Sequence, residues 1–213
     1  MKKFKALLVV ACALLLVAAS VFGTMAYLTS TDTVTNTFTV GKVEIKLDEA
    51  QANTDGSLVE GAARVKANSY KLLPGHTYNK DPMVTVLSGS ESSYVKMTVT
   101  FSKANELDAI FAPKGADLTS IFNGYDATNW IAKGNTKDAT ANTRTYEFWY
   151  KEAVGAPNDD VALDALFDSI TVPGAITKEQ LATIEGMTIT VNAYAIQADG
   201  FANAEAAWAA IKK

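Results

Sequence analysis

Tyr94-Val95-Lys96-Met97-Thr98-Val99-Thr100-Phe101 alternates without a slip, with Val95, Met97, Val99 and Phe101 apolar on one parity and Tyr94, Lys96, Thr98 and Thr100 on the other. Successive side chains of an extended chain point to opposite faces, so this stretch reads as a strand with one face in a core and one toward water. Upstream, Met83 to Leu87 is β-prone and Ser88-Gly89-Ser90 breaks it, which predicts a hairpin or neighbouring strands with Tyr94–Phe101. Downstream, Trp130-Ile131-Ala132 and Thr143 to Tyr150 bracket the turn-rich Lys133 to Asn142, a long-looped hairpin with Tyr146, Phe148 and Tyr150 on one face. Met187 to Ala195 is the last clear strand, its Met187, Ile189 and Val191 alternating with Thr188, Thr190 and Asn192.

Helix signals are few and marginal. A short helix is expected near Asn105 to Phe111. Thr177-Lys178-Glu179-Gln180 has the form of a capping box and opens a helix ending at Gly186. Asn203 can cap a terminal helix in which Ala204, Ala207, Trp208 and Ile211 share a face. Leu73-Pro74-Gly75 marks a turn, because proline presets φ and glycine accepts the positive φ that follows. Asn53 to Ser57 is another turn, the region onward to Asn68 is polar and poorly patterned, and Asn158 to Asp168 fits neither period. Six to eight strands without long interleaved helices predict a mainly β chain, an antiparallel β-sandwich of jelly-roll type with short peripheral helices.

The N-terminus is of a different kind. Lys2, Lys3 and Lys5 form a positive head, and Ala6 to Phe22 is apolar except for Ser20. Such a head stays cytoplasmic while the apolar stretch enters the translocon, so residues 1–26 read as a signal helix. The small residues Thr24 and Ala26 place the signal-peptidase cut between Ala26 and Tyr27, leaving a secreted domain over 27–213. Competing readings are an uncleaved anchor and lipidation at Cys12, although a lipobox should close the apolar run and Ala13 to Phe22 continues it. The first mature segment, 27–47, alternates as well: Val34, Phe38 and Val40 fall on one parity between threonines, and the parity switches after Gly41 to Val43, Ile45 and Leu47. A stretch without charge from Thr33 to Gly41 lacks the usual guards of a sheet edge, so Val34, Phe38 and Val40 are candidates for a strand that pairs with a neighbouring molecule.

Composition narrows the function classes. Of 19 basic residues three lie in the signal segment, so 16 remain against 23 acidic ones, a formal charge of −7. That balance argues against nucleic acid and against an anionic membrane surface as partners, and leaves the membrane relevant only through the uncleaved signal. The one cysteine falls in the signal segment, so the mature chain has no disulfide. His76 is the single histidine and cannot build an H-E-x-x-H zinc site, and no G-x-S-x-G elbow or glycine-rich phosphate loop occurs. No cofactor, catalytic residue or metal site is expected; Asp159 and Asp160 read as a solvated loop, with weak calcium binding as the alternative. Tyr146, Phe148, Trp149 and Tyr150 offer a sugar-stacking platform if open and core if packed.

Separated motifs resemble one family. Thr24-Met25-Ala26-Tyr27-Leu28-Thr29 with Thr37-Phe38-Thr39-Val40-Gly41-Lys42-Val43 resembles the signal junction and first strand of the SipW-dependent secreted proteins of the TasA/camelysin family. Leu73-Pro74-Gly75 with Lys80-Asp81-Pro82 resembles that family's turn and following K-D, and Ser90 to Val95 and Ala193 to Ala198 resemble further segments. The resemblance implies a jelly-roll domain, export by the Sec route, cutting by a SipW-type signal peptidase and a place on the cell surface or in the biofilm matrix of a Gram-positive-type bacterium. It implies fibre formation for TasA-like members and a metallopeptidase label for camelysin, for which this chain lacks the ligands. The expectation is therefore a non-enzymatic structural protein that associates with itself or with matrix and cell-surface proteins. The alternative is a surface module binding carbohydrate or protein.

Overall fold

The computed structural model describes residues 2–26, 41–114 and 117–211. It divides into two units, 1–40 and 41–213. In the first, α1 spans Lys2–Ala26, as expected for an apolar run of good helix formers. Among the described residues no helix is long and apolar enough to cross a membrane.

The second unit is mainly β. Its strands are β1 (Ile45–Asp48), β2 (Thr77–Asn79), β3 (Met83–Val86), β4 (Ser90–Ser102), β5 (Phe122–Asn123) and β6 (Trp130–Asp138). The others are β7 (Thr143–Tyr150), β8 (Val154–Ala156), β9 (Val161–Ala162), β10 (Ser169–Thr171) and β11 (Ile189–Gln197). Three short helices accompany them: α2 (Ala104–Phe111), α3 (Lys178–Thr183) and α4 (Ala204–Ile211). All strand pairs are antiparallel, in sheets of order β1-β3-β9, β2-β10-β5 and β11-β4-β7-β6, with β8 also on β4.

β4 is the organising strand. Val95, Met97, Val99 and Phe101 are fully buried, and they pack with Val84 and Val86 of β3, Tyr146 and Phe148 of β7, and Phe167 in one apolar cluster. Each such side chain contributes roughly 2 kcal/mol by leaving water, so this strand alone supplies a large share of the fold's stability. Phe122 stacks on Phe167 at 4.2 Å between ring centres, which ties β5 to the same core.

Several expectations need correction. β3 and β4 do not pair; they belong to different sheets, and the turn at Gly89, whose φ of 80° suits glycine, carries the chain from one to the other. The hairpin β6–β7 is tight rather than long-looped, because β6 continues through Asp138 past a bulge between Ala132 and Gly134. Strands number more than eight because several are only two or three residues long. The capping box forms as expected: Thr177 Oγ1 accepts the Gln180 N–H and Gln180 Oε1 accepts the Thr177 N–H. Asn203 Oδ1 caps α4 at the Ala206 N–H, but Ile211 is 60% exposed rather than on the packed face.

Candidate functional site

The polar stretch after β1 folds into an arm, residues 49–72, held by side chains and isolated main-chain pairs rather than a continuous ladder. Glu49 and Val65 exchange both main-chain hydrogen bonds, at 2.9 and 2.7 Å. Arg64 is the central clamp: its Nε donates to Asp48 Oδ1 at 2.6 Å, its Nη1 to Asp81 Oδ2 at 2.7 Å and its Nη2 to the Asp81 carbonyl at 2.8 Å. Asp81 Oδ1 accepts the Ala50 N–H. Burial works against the charge of Asp48, but hydrogen bonds and charge from Lys46 and Arg64 outweigh it and hold the carboxyl below its usual range. The far end of the arm is pinned by the Tyr78 hydroxyl, which donates to the Lys71 carbonyl and accepts the Leu73 N–H.

Behind the arm sits a buried ion pair. Lys80 Nζ lies 2.6 Å from Glu49 Oε2, and Asn68 Nδ2 donates to Glu49 Oε1 at 2.9 Å. Tyr70 packs edge-on to Tyr78, and burial followed by the Glu49 charge raises its hydroxyl well above the ordinary range.

Between this arm and β11 runs a groove of about 1010 Å³, lined by Tyr70, Leu72, Ile170, Leu181, Ile189 and Val191 among others. Among the described residues β11 pairs with β4 alone. Hydrogen bonds between Ser102 N–H and Thr188 carbonyl, and between Ala198 N–H and Ser92 carbonyl, set the parity of the ladder. Even-numbered residues of β11 therefore face β4, and the main-chain groups of Ile189, Val191, Ala193 and Ala195 face the open edge. Their side chains are only half-buried, whereas the corresponding residues of β4 are fully buried. Across the groove, among the described residues, no main-chain hydrogen bond ties the irregular stretch 66–70 to another segment. Two stretches of backbone lining the groove thus have, among the described residues, unused donors and acceptors, and apolar residues stand beside charged ones such as Glu49, Lys66 and Lys80 between them.

The sites expected from sequence fall as follows. Ala26 is the last residue of α1; Tyr27, Val34, Phe38 and Val40 lie outside the described residues. His76 is exposed in the Pro74-Gly75 turn, its ring 6.3 Å from that of Tyr78. Asp159 and Asp160 are exposed, and Asp160 Oδ1 accepts the Ser88 N–H. Among the described residues no three His, Cys, Asp or Glu side chains gather where they could hold a metal ion. Tyr146 and Phe148 are in the core, Tyr150 packs against Trp130, and Trp149 lies beneath α4, its ring 6.2 Å from that of Trp208. The cations of Lys133 and Lys96 sit over the rings of Trp149 and Trp208 at 4.1 and 4.6 Å, so these rings form no open platform. Sequence reasoning missed Arg64, Glu49 and the open edge of β11; the absence of charge in Ile189–Gln197 was the available signal.

No family model, curated protein or solved structure matches the chain.

Proposed function

We propose that the chain is a secreted, non-enzymatic structural protein of the bacterial cell surface or biofilm matrix, assembling through strand exchange in the manner of the TasA-like family it resembles. The three antiparallel sheets are taken as parts of a jelly-roll-like sandwich whose open seam is the groove beside β11. One observation carries the reading: among the described residues, a nine-residue strand, β11, has an edge with no strand partner and without charge or proline, beside a groove whose opposite wall also makes no main-chain pairing. An extended segment entering there would gain main-chain hydrogen bonds from β11 and seat alternate side chains in the groove. Val34, Phe38 and Val40 supply that alternation, and cutting after Ala26 by a SipW-type peptidase would release the segment for use in a neighbouring molecule. The packed state of Tyr146, Phe148 and Trp149 favours this reading over a carbohydrate-binding module.

Electron microscopy of the secreted protein at rising concentration tests it. Fibres or regular oligomers are expected, and deletion of Tyr27 to Thr35 should abolish them while circular dichroism stays unchanged. A protein that remains monomeric at high concentration and varied pH, or a truncation that assembles normally, contradicts the reading.

A further inference from the structure

Glu49, Asn68 and Lys80 meet in a way that a simple ion pair does not require. Lys80 Nζ and Asn68 Nδ2 occupy opposite oxygens of one carboxylate, at 2.6 and 2.9 Å. Lys80 and Glu49 are each more than nine-tenths buried. The Asn68 amide is oriented on all sides: Nδ2 also donates to the Ala50 carbonyl at 2.8 Å, and Oδ1 accepts the Ala52 N–H at 2.9 Å. This network fixes which end of the amide is oxygen. Tyr70 and the fully buried Pro82 line the same wall of the groove as Glu49, Asn68 and Lys80.

From this geometry we propose that Lys80 and Asn68 join in an intramolecular amide bond, with Glu49 as the proton-transferring catalytic residue. In the reaction the Glu49 carboxylate, in direct contact with the Lys80 ammonium, takes one proton from it and leaves a nucleophilic amine. The amine must turn from Glu49 Oε2 to Asn68 Cγ, along the groove wall that the three residues share. Its lone pair attacks Cγ, and the Ala52 N–H stabilises the oxygen that becomes negative. Glu49 gives its proton to Nδ2, the Cγ–Nδ2 bond breaks and ammonia leaves, and Glu49 takes up the remaining extra proton from the attacking nitrogen and returns it to solvent. One amide bond replaces another, so no oxidant, reductant or cofactor enters. The product ties the arm to the link between β2 and β3, the constraint that a disulfide would supply in a chain whose one cysteine, Cys12, lies in α1. This inference is independent of whether the protein assembles.

Mass spectrometry of the full chain as purified decides it. Peptide mapping should find the Asn68 peptide covalently joined to the Lys80 peptide, and the intact mass should be lower than the sequence mass of the species by one ammonia. Glu49→Gln, Asn68→Ala and Lys80→Arg should each restore the full sequence mass, and Glu49→Gln should leave both partner residues present but unlinked. A wild-type protein at its full sequence mass overturns the proposal, as does an ammonia loss that maps to another residue. If any variant fails to fold, the wild-type peptide map alone still gives one of these two answers.

Discussion

The five-stranded sheet ends in two strands that treat their open edges differently. β6 is exposed along most of its length, yet it carries Lys133, Lys137 and Asp138, bends at a bulge beside Gly134, and is tied sideways by Lys133–Glu205 and Lys137–Asp108 pairs. β11 has none of these devices: Ile189 to Gln197 contains no charge, proline or glycine. Charges and bulges on an edge keep other chains from pairing with it, and their lack leaves a template. The same sheet therefore has a guarded edge and an open one, and the groove lies beside the open one. Both edges were equally accessible to selection against aggregation, so the difference between them points to use rather than neglect.

Proline can separate the edges with the largest effect. Ala193 turns its N–H away from β4, so Ala193→Pro should abolish assembly while leaving the β11–β4 ladder and the circular dichroism spectrum intact. The ladder parity gives Asn135 of β6 the same outward N–H, and Asn135→Pro should leave assembly unchanged by electron microscopy. Equal loss from both would erase the distinction.

The groove wall gives the next effect. Asp48, almost fully buried, anchors Arg64 and Lys46, so Asp48→Ala leaves cations without a partner and should cost about 3 kcal/mol in denaturant unfolding. Asp108, which holds β6 and β7 through Lys137 and Arg144, is more exposed, and Asp108→Ala should cost clearly less. Acid should rank the two in the same order. At both carboxyls burial opposes ionisation and is outweighed by hydrogen bonds from the paired cations, so both folded-state pKa values are depressed. Their contribution is complete above the unfolded value, about 3.9, and is lost as pH falls through the lower folded value. A thermal-stability profile should therefore fall below about pH 4, and Asp48→Ala should flatten that fall more than Asp108→Ala. The smallest effect lies beside the groove at α3, where Thr177→Ala removes one half of the capping box and should cost about 1 kcal/mol without touching assembly.

What could be read from sequence was what local periodicity encodes. β4 and the inward face of β7 followed from alternation, and α3 and α4 followed from caps, since those signals lie within a few residues of the element they define. The arm did not, because its order comes from partners distant in sequence: Arg64 reaches Asp81, and Lys80 reaches Glu49. No repeat of two or 3.6 residues marks such contacts, so the region looked like a loop. The sheet change at Gly89 was hidden for a related reason, since a glycine turn between two apolar runs has the same local form whether the runs pair or part. The polar body of the arm was also what concealed the groove, whose lining comes from the arm, α3 and β11 together.

Hydrogen exchange at the outward amides of β11 is the most direct test of the strand-accepting edge. Among the described residues the amides of Ile189, Val191, Ala193 and Ala195 have no strand partner, whereas those of Thr190, Asn192 and Tyr194 face β4. In dilute monomer the first set should exchange fast and the second slowly, and on assembly the first set should become protected while the amides at the free edge of β6 keep their rates. Outward amides of β11 that exchange as fast in the assembled protein as in the monomer would contradict the account.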